Sequence, residues 1–414
     1  MTPIDEARLC PSRRIFLASA GAFVAWAQMP RIASAAGRDP RLVVVVLRGA
    51  MDGLAAVPPV GDPDYATLRG DLAIGTSGLE PTLALDSFFG LNQAMPAFHG
   101  LYTDGEALVV HATATPYRDR SHFDGQDVLE SGMAGPQASP TGWLNRVAAA
   151  LPAGDAVRPA NGLAAGATVP LILRGPAPIL TGAPPGFRPA DGDTIARLAD
   201  LYAESDPELA RVFAEGTSVD RLAGADGLMA TKSVRPAVPG AGVTASFVAL
   251  ADGAGRLLAD AEGPRLAAIS YDGWDTHASE GADKGRLAGL LAALDAALGA
   301  LKTAMAPVWS ETAVVVVTEF GRTARTNGTD GTDHGTATAA LLLGGAVRGG
   351  RVIADWPGLK AAQLYQQRDL AATTDLRAVL KGVLRDHLGI SERTLATAVF
   401  PDSIGVRPLD GLII

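Results

Sequence analysis

Arg41-Leu42-Val43-Val44-Val45-Val46-Leu47 runs directly into Arg48-Gly49-Ala50-Met51-Asp52-Gly53. An unbroken β-branched run of this length reads as a strand buried on both faces, as in a parallel sheet, and the polar, glycine-containing turn behind it marks the strand's exit. Runs of similar character recur at residues 107–112, 169–173, 266–271, 312–318 and 338–343. Helical stretches fall between them, notably at 284–305 and 375–388. Strand and helix in alternation predict an α/β sheet with helices on both faces. Residues 132–263 differ, being rich in Ala, Gly and Pro with helical signal at 142–151 and 194–213, and read as an insertion or cap. Within them, 230–244 reads as a connecting loop.

The beginning of the chain has a separate logic. Ser12-Arg13-Arg14-Ile15-Phe16-Leu17 precedes an apolar, Ala-rich stretch at 18–27 and then Ala33-Ser34-Ala35. That is a basic region, an apolar region and an A-x-A cleavage site. Paired Arg with Phe and Leu close behind resembles the twin-arginine export signal. The expectation is a signal at 1–35, a single domain over 36–414, and passage through the twin-arginine translocase to the periplasm or beyond. The apolar stretch is short of the roughly 20 residues that span a bilayer, and no later segment reads as a stable span.

Cys10, the one cysteine of the 414 residues, lies inside the signal, so the exported chain forms no disulfide and offers no thiolate to a metal. The formal net charge is −9, and the signal holds four Arg against two acids, which leaves −11 for the remainder. Nucleic acid is not an expected partner of so acidic a chain. With 48% hydrophobic residues the chain has ample core despite its 48 Gly and 28 Pro.

Ligands of open α/β sheets bind beyond the carboxyl ends of the strands. Here those exits carry Asp52, then Arg118, Arg120, Ser121, His122, Asp124 and Asp127, then Asp272-Gly273-Trp274-Asp275-Thr276-His277, then Glu319-Phe320-Gly321-Arg322. Gly331-Thr332-Asp333-His334-Gly335 shortly precedes the next strand. Carboxylates crowded on one rim raise each other's pKa unless a cation sits among them, so one or two divalent ions are expected. Imidazole and carboxylate donors without Cys suit zinc or manganese, with calcium where oxygen dominates. Three of six His fall in these loops; His387 reads as a surface helix residue, His99 as a loop or packing residue, and His111 stays open. Each motif also has a plainer reading: Asp52 as a helix cap, Asp275 and Thr276 as caps, Asp333-His334-Gly335 as a tight turn.

Six segments resemble the twin-arginine-exported family catalogued as domain of unknown function 1501, grouped with the alkaline-phosphatase-like superfamily. They are residues 12–17, 47–54 (LRGAMDGL), 121–132 (SHFDGQDVLESG), 271–277 (YDGWDTH), 318–322 (TEFGR) and 332–335 (TDHG). The resemblance implies a three-layer α/β/α sandwich around a mostly parallel sheet, and a two-metal site that attacks phosphate or sulfate esters. It places Asp52 on a metal, Ser121 as nucleophile, Asp275 with His277 as a ligand pair, and His334 as the last ligand. Glu319 stands where an Asp-His pair is expected, with Phe320 in place of the imidazole, and His122 is the candidate to fill that gap. Asp333 completes the candidate donors. Arg120 or Arg322 would pair with substrate oxygens, or else form salt bridges to nearby acids. The expected activity is metal-dependent hydrolysis of an anionic small-molecule ester. The rival is a metal-holding, non-catalytic periplasmic binding or assembly protein. A metal-free serine hydrolase fits less well, because G-x-S-x-G does not flank Ser121.

Overall fold

The computed structural model describes residues 38–75, 81–151, 160–166, 168–182 and 241–414. The expected signal and the helical stretch at 194–213 lie outside the described residues. The main sheet contains β1 (Arg41–Arg48), β2 (Ala107–Ala114), β3 (Gly162–Ala165), β4 (Ile179–Gly182), β5 (Leu266–Asp272), β6 (Thr312–Thr318), β7 (Thr338–Leu343), β8 (Arg351–Ile353) and β9 (Thr374–Asp375). Their order is β8-β2-β7-β6-β1-β5-β3-β4, with β9 also beside β2. β1 pairs in parallel with β5 and β6. β7 alone runs antiparallel, against both β2 and β6.

Side chains alternate across a strand, so the Val-rich β1 feeds two cores at once. Val43, Val45 and Leu47 enter one core, and Leu42, Val44 and Val46 enter the other. Around the sheet lie α1 (Pro96–Thr103), α2 (His122–Ser131), α3 (Trp143–Ala150), α4 (Ala241–Ala259), α5 (Arg286–Ala304) and α6 (Leu376–Leu388). α1, α4 and α5 cover the first face; α3 and α6 cover the second. This is the three-layer α/β/α sandwich with a mostly parallel sheet. α5 shows why the layers hold: Leu287, Leu291, Leu294, Leu298 and Leu301 form one buried stripe, each contributing about 1.5–3 kcal/mol of burial.

Two readings need correction. Residues 169–173 do not pair in the sheet: Leu171–Leu173 form a 3-10 turn behind Pro170, which lacks a ladder donor, and their burial comes from Ile172 and Leu173 packing toward α3. The loop expected at 230–244 gives way to α4 from Ala241 onward. α5 is long and apolar enough to cross a membrane by length and composition alone, with mean hydropathy 1.5, but its leucine stripe faces the core.

Topology decides what meets at the rim. β1, β2, β5 and β6 all point their carboxyl ends the same way. Because β7 runs oppositely, the segment leading into it, which holds His334, arrives at that same rim.

Candidate metal centre

β6 is buried along its whole length and delivers Glu319 and Phe320 into the interior, both essentially unexposed. The chain then folds back on itself toward β7. Arg322 bridges His334 antiparallel, the Gly335 N–H donates to the Gly321 carbonyl (2.8 Å) and the Thr323 N–H to that of Asp333 (2.9 Å). A Cβ at Gly335 would strike the Arg322 carbonyl, so this zip requires glycine there. β1 exits through Gly49 at φ +118°, a conformation L side chains rarely adopt, and its Cβ would lie 2.5 Å from the Asp275 nitrogen. Gly49 thus lets the β5 exit, with Asp275 and His277, close onto the β1 exit. His122 enters from the first turn of α2.

These elements bring three imidazoles and a carboxylate together. Nε2 of His334 is 2.9 Å from Nε2 of His122 and 2.9 Å from Nε2 of His277. Asp275 Oδ1 lies 3.3 Å from His122 Nε2, 3.0 Å from His277 Nε2 and 3.3 Å from His334 Nε2. Each ring is held from behind. His122 Nδ1 donates to Glu319 Oε1 (2.8 Å), His334 Nδ1 to the Arg120 carbonyl (3.0 Å), and His277 Nδ1 faces Asp333 Oδ1 (3.4 Å). Acceptors behind Nδ1 place the ring proton there and turn the Nε2 lone pairs toward one another. One lone pair on His334 Nε2 does not accept from two neighbours at once, so a proton bridges at most one of the two His–His approaches. A cation among the donors satisfies all of them. Donors in a tetrahedron about 2.0–2.1 Å from zinc lie about 3.3 Å apart, close to the spacings found here. His122, Asp275 and His334 form the tight set, and His277 borders two of its members.

The electrostatics are those of a polarised site. Burial pushes the Asp275 carboxyl up, but hydrogen bonding and charge from Arg322, then the charges of His277 and His122, bring it down to about 2. The hydrogen bond to Glu319 raises the His122 imidazole above its ordinary value against desolvation. His334 moves the other way, lowered by burial and then by the neighbouring His122 and Arg322 charges. Burial pushes Glu319 up, yet the bonds from His122, Gln126 and the Gly49 N–H outweigh it and hold the carboxylate below its ordinary range.

Several expected roles change. Asp52 is a cap: Oδ1 accepts from the Leu54 and Ala55 N–H groups (3.0 and 3.3 Å), and Oδ2 pairs with buried Arg69. Both oxygens are engaged away from the imidazoles, which corrects its reading as a ligand. Glu319 likewise faces no open position, because Oε1 takes His122, Gln126 and the Gly49 N–H while Oε2 takes the Thr318 hydroxyl (2.9 Å). It orients a donor. Asp333 stands behind His277 in the same way. Arg322 donates to the carbonyls of Gly49, Ala50, Trp274 and Thr332 and to Asp275 Oδ1 (2.6 Å), and its side chain is fully buried, so it is a buried salt-bridge partner and not a residue open to a substrate. Arg120 pairs with Asp369 (2.7 Å) and Gln366 (2.7 Å), so its contribution to the site is its carbonyl. Ser121 occupies the N-cap position of α2, half-buried, but its hydroxyl caps nothing.

The family of proteins of unknown function DUF1501 matches residues 106–399, well over half of the chain. The chain belongs to the DUF1501 family. The match takes in Ser121, His122, Asp275, His277, Glu319 and His334 and begins beyond Asp52. No functionally curated protein matches this DUF1501 chain. Solved structures with a similar chain arrangement include Ps i-CgsB in complex with k-i-k-neocarrahexaose, at 13% identity and TM-score 0.43, over 90% of this chain and 77% of that one. The C-terminal periplasmic domain of EcEptC from Escherichia coli, in complex with Zn, aligns at 11% identity and TM-score 0.41, over 90% and 87%. The phosphonate monoester hydrolase of Agrobacterium radiobacter aligns at 12% and 0.37, over 85% and 74%. Likeness at this level says nothing about the reaction.

Three residues of the DUF1501 site escaped the sequence reading, and a fourth, Phe320, has a role that reading did not give it. Gln126 lies one helical turn after His122 and donates to the same Glu319 oxygen (3.2 Å), a relation the i, i+4 spacing carries. Phe320 stacks on the His122 ring at 5.0 Å, so the residue standing in for an imidazole steadies one instead. Asn327 Nδ2 donates to the His277 carbonyl (2.9 Å) and to Asp333 (3.1 Å), and Arg368 donates to the His334 carbonyl (2.6 Å). Nothing in their local sequence signals either.

Proposed function

We propose that this protein is an exported, metal-dependent hydrolase of phosphate or sulfate esters that works with one divalent ion. The observation that supports it most is the convergence of three Nε2 atoms and Asp275 Oδ1, each ring held from behind by an acceptor. Three imidazoles suit zinc or manganese and not calcium, which takes oxygen donors. One ion is favoured over two because Asp52 and Glu319, the carboxylates a second would need, are engaged elsewhere. A divalent ion supplies a Lewis acid for a phosphoryl or sulfuryl oxygen and favours the deprotonated form of a nearby nucleophile.

Ser121 is the proposed nucleophile. Its uncommitted hydroxyl stands beside His122 at the N-terminus of a ten-residue helix, an end that favours negative charge. In the proposed step Ser121 Oγ bonds to phosphorus or sulfur, the ester oxygen leaves, and the serine proton ends on the departing alcohol. Water then cleaves the seryl ester and restores the hydroxyl.

The test is a panel of aryl phosphate mono- and diesters and aryl sulfates, with zinc or manganese returned to stripped protein. Ser121→Ala is expected to keep its metal and lose at least about a thousandfold in turnover. Turnover left intact by that change would assign the attack to water. One observation favours a second reading, a metal-holding protein without catalysis: Asp275 Oδ1 is within 3.3 Å of all three imidazoles, and four protein donors close a tetrahedral shell as structural sites do. Tightly held metal with no turnover on any ester would select it.

Export to the periplasm is proposed on residues 12–17 and 33–35, with the twin-arginine translocase as transient partner and 36–414 as one exported domain. Exchanging Arg13 and Arg14 together for Lys is expected to leave precursor in the cytoplasm, since general secretion needs only positive charge whereas twin-arginine export tolerates this change poorly. Fractionation that finds the Lys-Lys form outside the membrane at wild-type level would refute it.

A further inference from the structure

A cavity of ≈ 520 Å³ opens on the same rim as the imidazole cluster, lined by the exits of β1 and β5 and by the end of β3. One wall is a stripe of α2 formed by Phe123, Gln126, Asp127 and Glu130, the i, i+3, i+4, i+7 positions of one helix face. His122, about 100° around the helix from Phe123, serves the cluster instead. Gln126 belongs to both, because it lines the cavity and donates to the Glu319 oxygen that holds His122. Cavity wall and cluster are therefore parts of one supported unit.

We infer that this cavity is a carbohydrate subsite and that the alcohol half of the ester is a sugar. Two charges on its wall neutralise each other: Arg48 donates to Gln126 (3.1 Å) and pairs with Glu130, whose second oxygen takes the Ile172 N–H (3.0 Å). The groups left to face a ligand are of both kinds. The side chains of Asp272 and Ser270 have no hydrogen-bond partner among the described residues; Asp127 commits one oxygen, to the Gln137 N–H (2.8 Å), and Arg174 commits only Nε, to the Val169 carbonyl (3.1 Å). A simple anion wants donors alone, and an ammonium wants acceptors alone. Sugar hydroxyls donate and accept at once, which is what carboxylates, a guanidinium and a hydroxyl in one wall match.

The apolar part agrees. Phe123 lines this cavity with 88% of its surface exposed, on a helix stripe that is otherwise polar. An exposed aromatic face beside such groups fits the C–H face of a pyranose, and covering it returns the apolar area now open to water. The volume falls within the range of about 300–1,000 Å³ usual for small-molecule sites and is far larger than an ammonium head group needs.

The inference about the ester rests on the hydrolase reading, whereas sugar binding itself does not, and the experiment separates them. The probes are the neutral disaccharides cellobiose, maltose and lactose, with choline as the cationic control, offered to full-length exported protein both zinc-loaded and metal-stripped. Saturation-transfer NMR and calorimetry are expected to show at least one disaccharide bound in both states and choline bound in neither. Phe123→Ala and, separately, Asp127→Asn should each weaken that binding at least about tenfold with zinc content unchanged. Phe123 is exposed, so its replacement removes no core packing. Absence of sugar binding in protein that turns over aryl esters would overturn this inference and leave the hydrolase reading standing. Choline binding in preference to the sugars, or sugar binding indifferent to both substitutions, would overturn it as well. Sugar binding without turnover of any ester would uphold the subsite and remove the hydrolase.

Discussion

Replacing His334 with alanine is expected to weaken zinc binding by more than about 100-fold and to abolish ester turnover, a larger loss than the 10–100-fold usual for residues that only orient a ligand. The reason is its central place. His334 Nε2 approaches His122 Nε2, His277 Nε2 and Asp275 Oδ1 at 2.9, 2.9 and 3.3 Å. Its own ring is fixed by the bond from Nδ1 to the Arg120 carbonyl and by Arg368 on its main-chain oxygen. The fold itself should survive, because losing one neutral hydrogen bond at a part-exposed ring costs about 1 kcal/mol. Removing it also relieves the facing lone pairs in the metal-free form. Competition against a chromophoric chelator reads the affinity, and elemental analysis the content. Wild-type zinc affinity in His334→Ala would dissolve the proposed centre.

How much of this the sequence carried depended on how strongly local chemistry spoke. β1, β5, β6 and β7 were legible because each carries an apolar run buried on both faces, a pattern that comes from the residues alone. β3 and β4 were not, since Gly162–Ala165 and Ile179–Gly182 are four residues each and hold little β-branched character; neighbouring strands, not propensity, set their conformation. Residues 169–173 show the reverse error, an apolar run buried by contacts outside the sheet. His387, read as a surface helix residue, is buried with Nε2 on the Arg41 carbonyl (2.9 Å), and the open case of His111 resolves to packing, with burial bringing its imidazole down to about 4. In the candidate site the three imidazoles lie together with the carboxylates of Asp275, Glu319 and Asp333, but sequence spacing does not say which face a ligand and which stand behind one. That division rests on hydrogen bonds between residues about 200 positions apart, such as His122 to Glu319 and His334 to Arg120.

Asp52 takes the cap reading in the structure, and its pairing with Arg69 leads to the other large effect. Asp52, Arg69 and Glu280 form a buried group in which Asp52 pairs with Arg69 and the Thr332 hydroxyl donates to Glu280 (2.7 Å). Burial first, and then the Asp52 charge, push the Glu280 carboxyl up to about 8. The raised value favours the protonated carboxyl near neutral pH, which leaves Asp52 as the main partner of Arg69. Asp52→Asn keeps a capping oxygen but removes the partner charge, and an uncompensated buried charge costs about 3–5 kcal/mol. The cost should vary with pH in a particular direction. Without Asp52, one of the causes raising Glu280 is gone, so Glu280 ionises at lower pH and takes over as counter-charge; the penalty is largest near pH 5 and shrinks toward pH 8. Adding Glu280→Gln to Asp52→Asn removes the substitute and keeps the penalty at every pH. In the wild type the same carboxyl holds its proton up to about 8 when folded but releases it near 4.5 when unfolded, so this group's contribution falls as pH rises between those values, by at most about 1.4 kcal/mol per unit. Glu280→Gln alone should flatten that slope. Denaturant unfolding of the four proteins at pH 5 and pH 8 measures all of this, and elemental analysis adds the deciding control. Full zinc content in Asp52→Asn supports the cap, whereas zinc lost together with unchanged stability would return Asp52 to the metal.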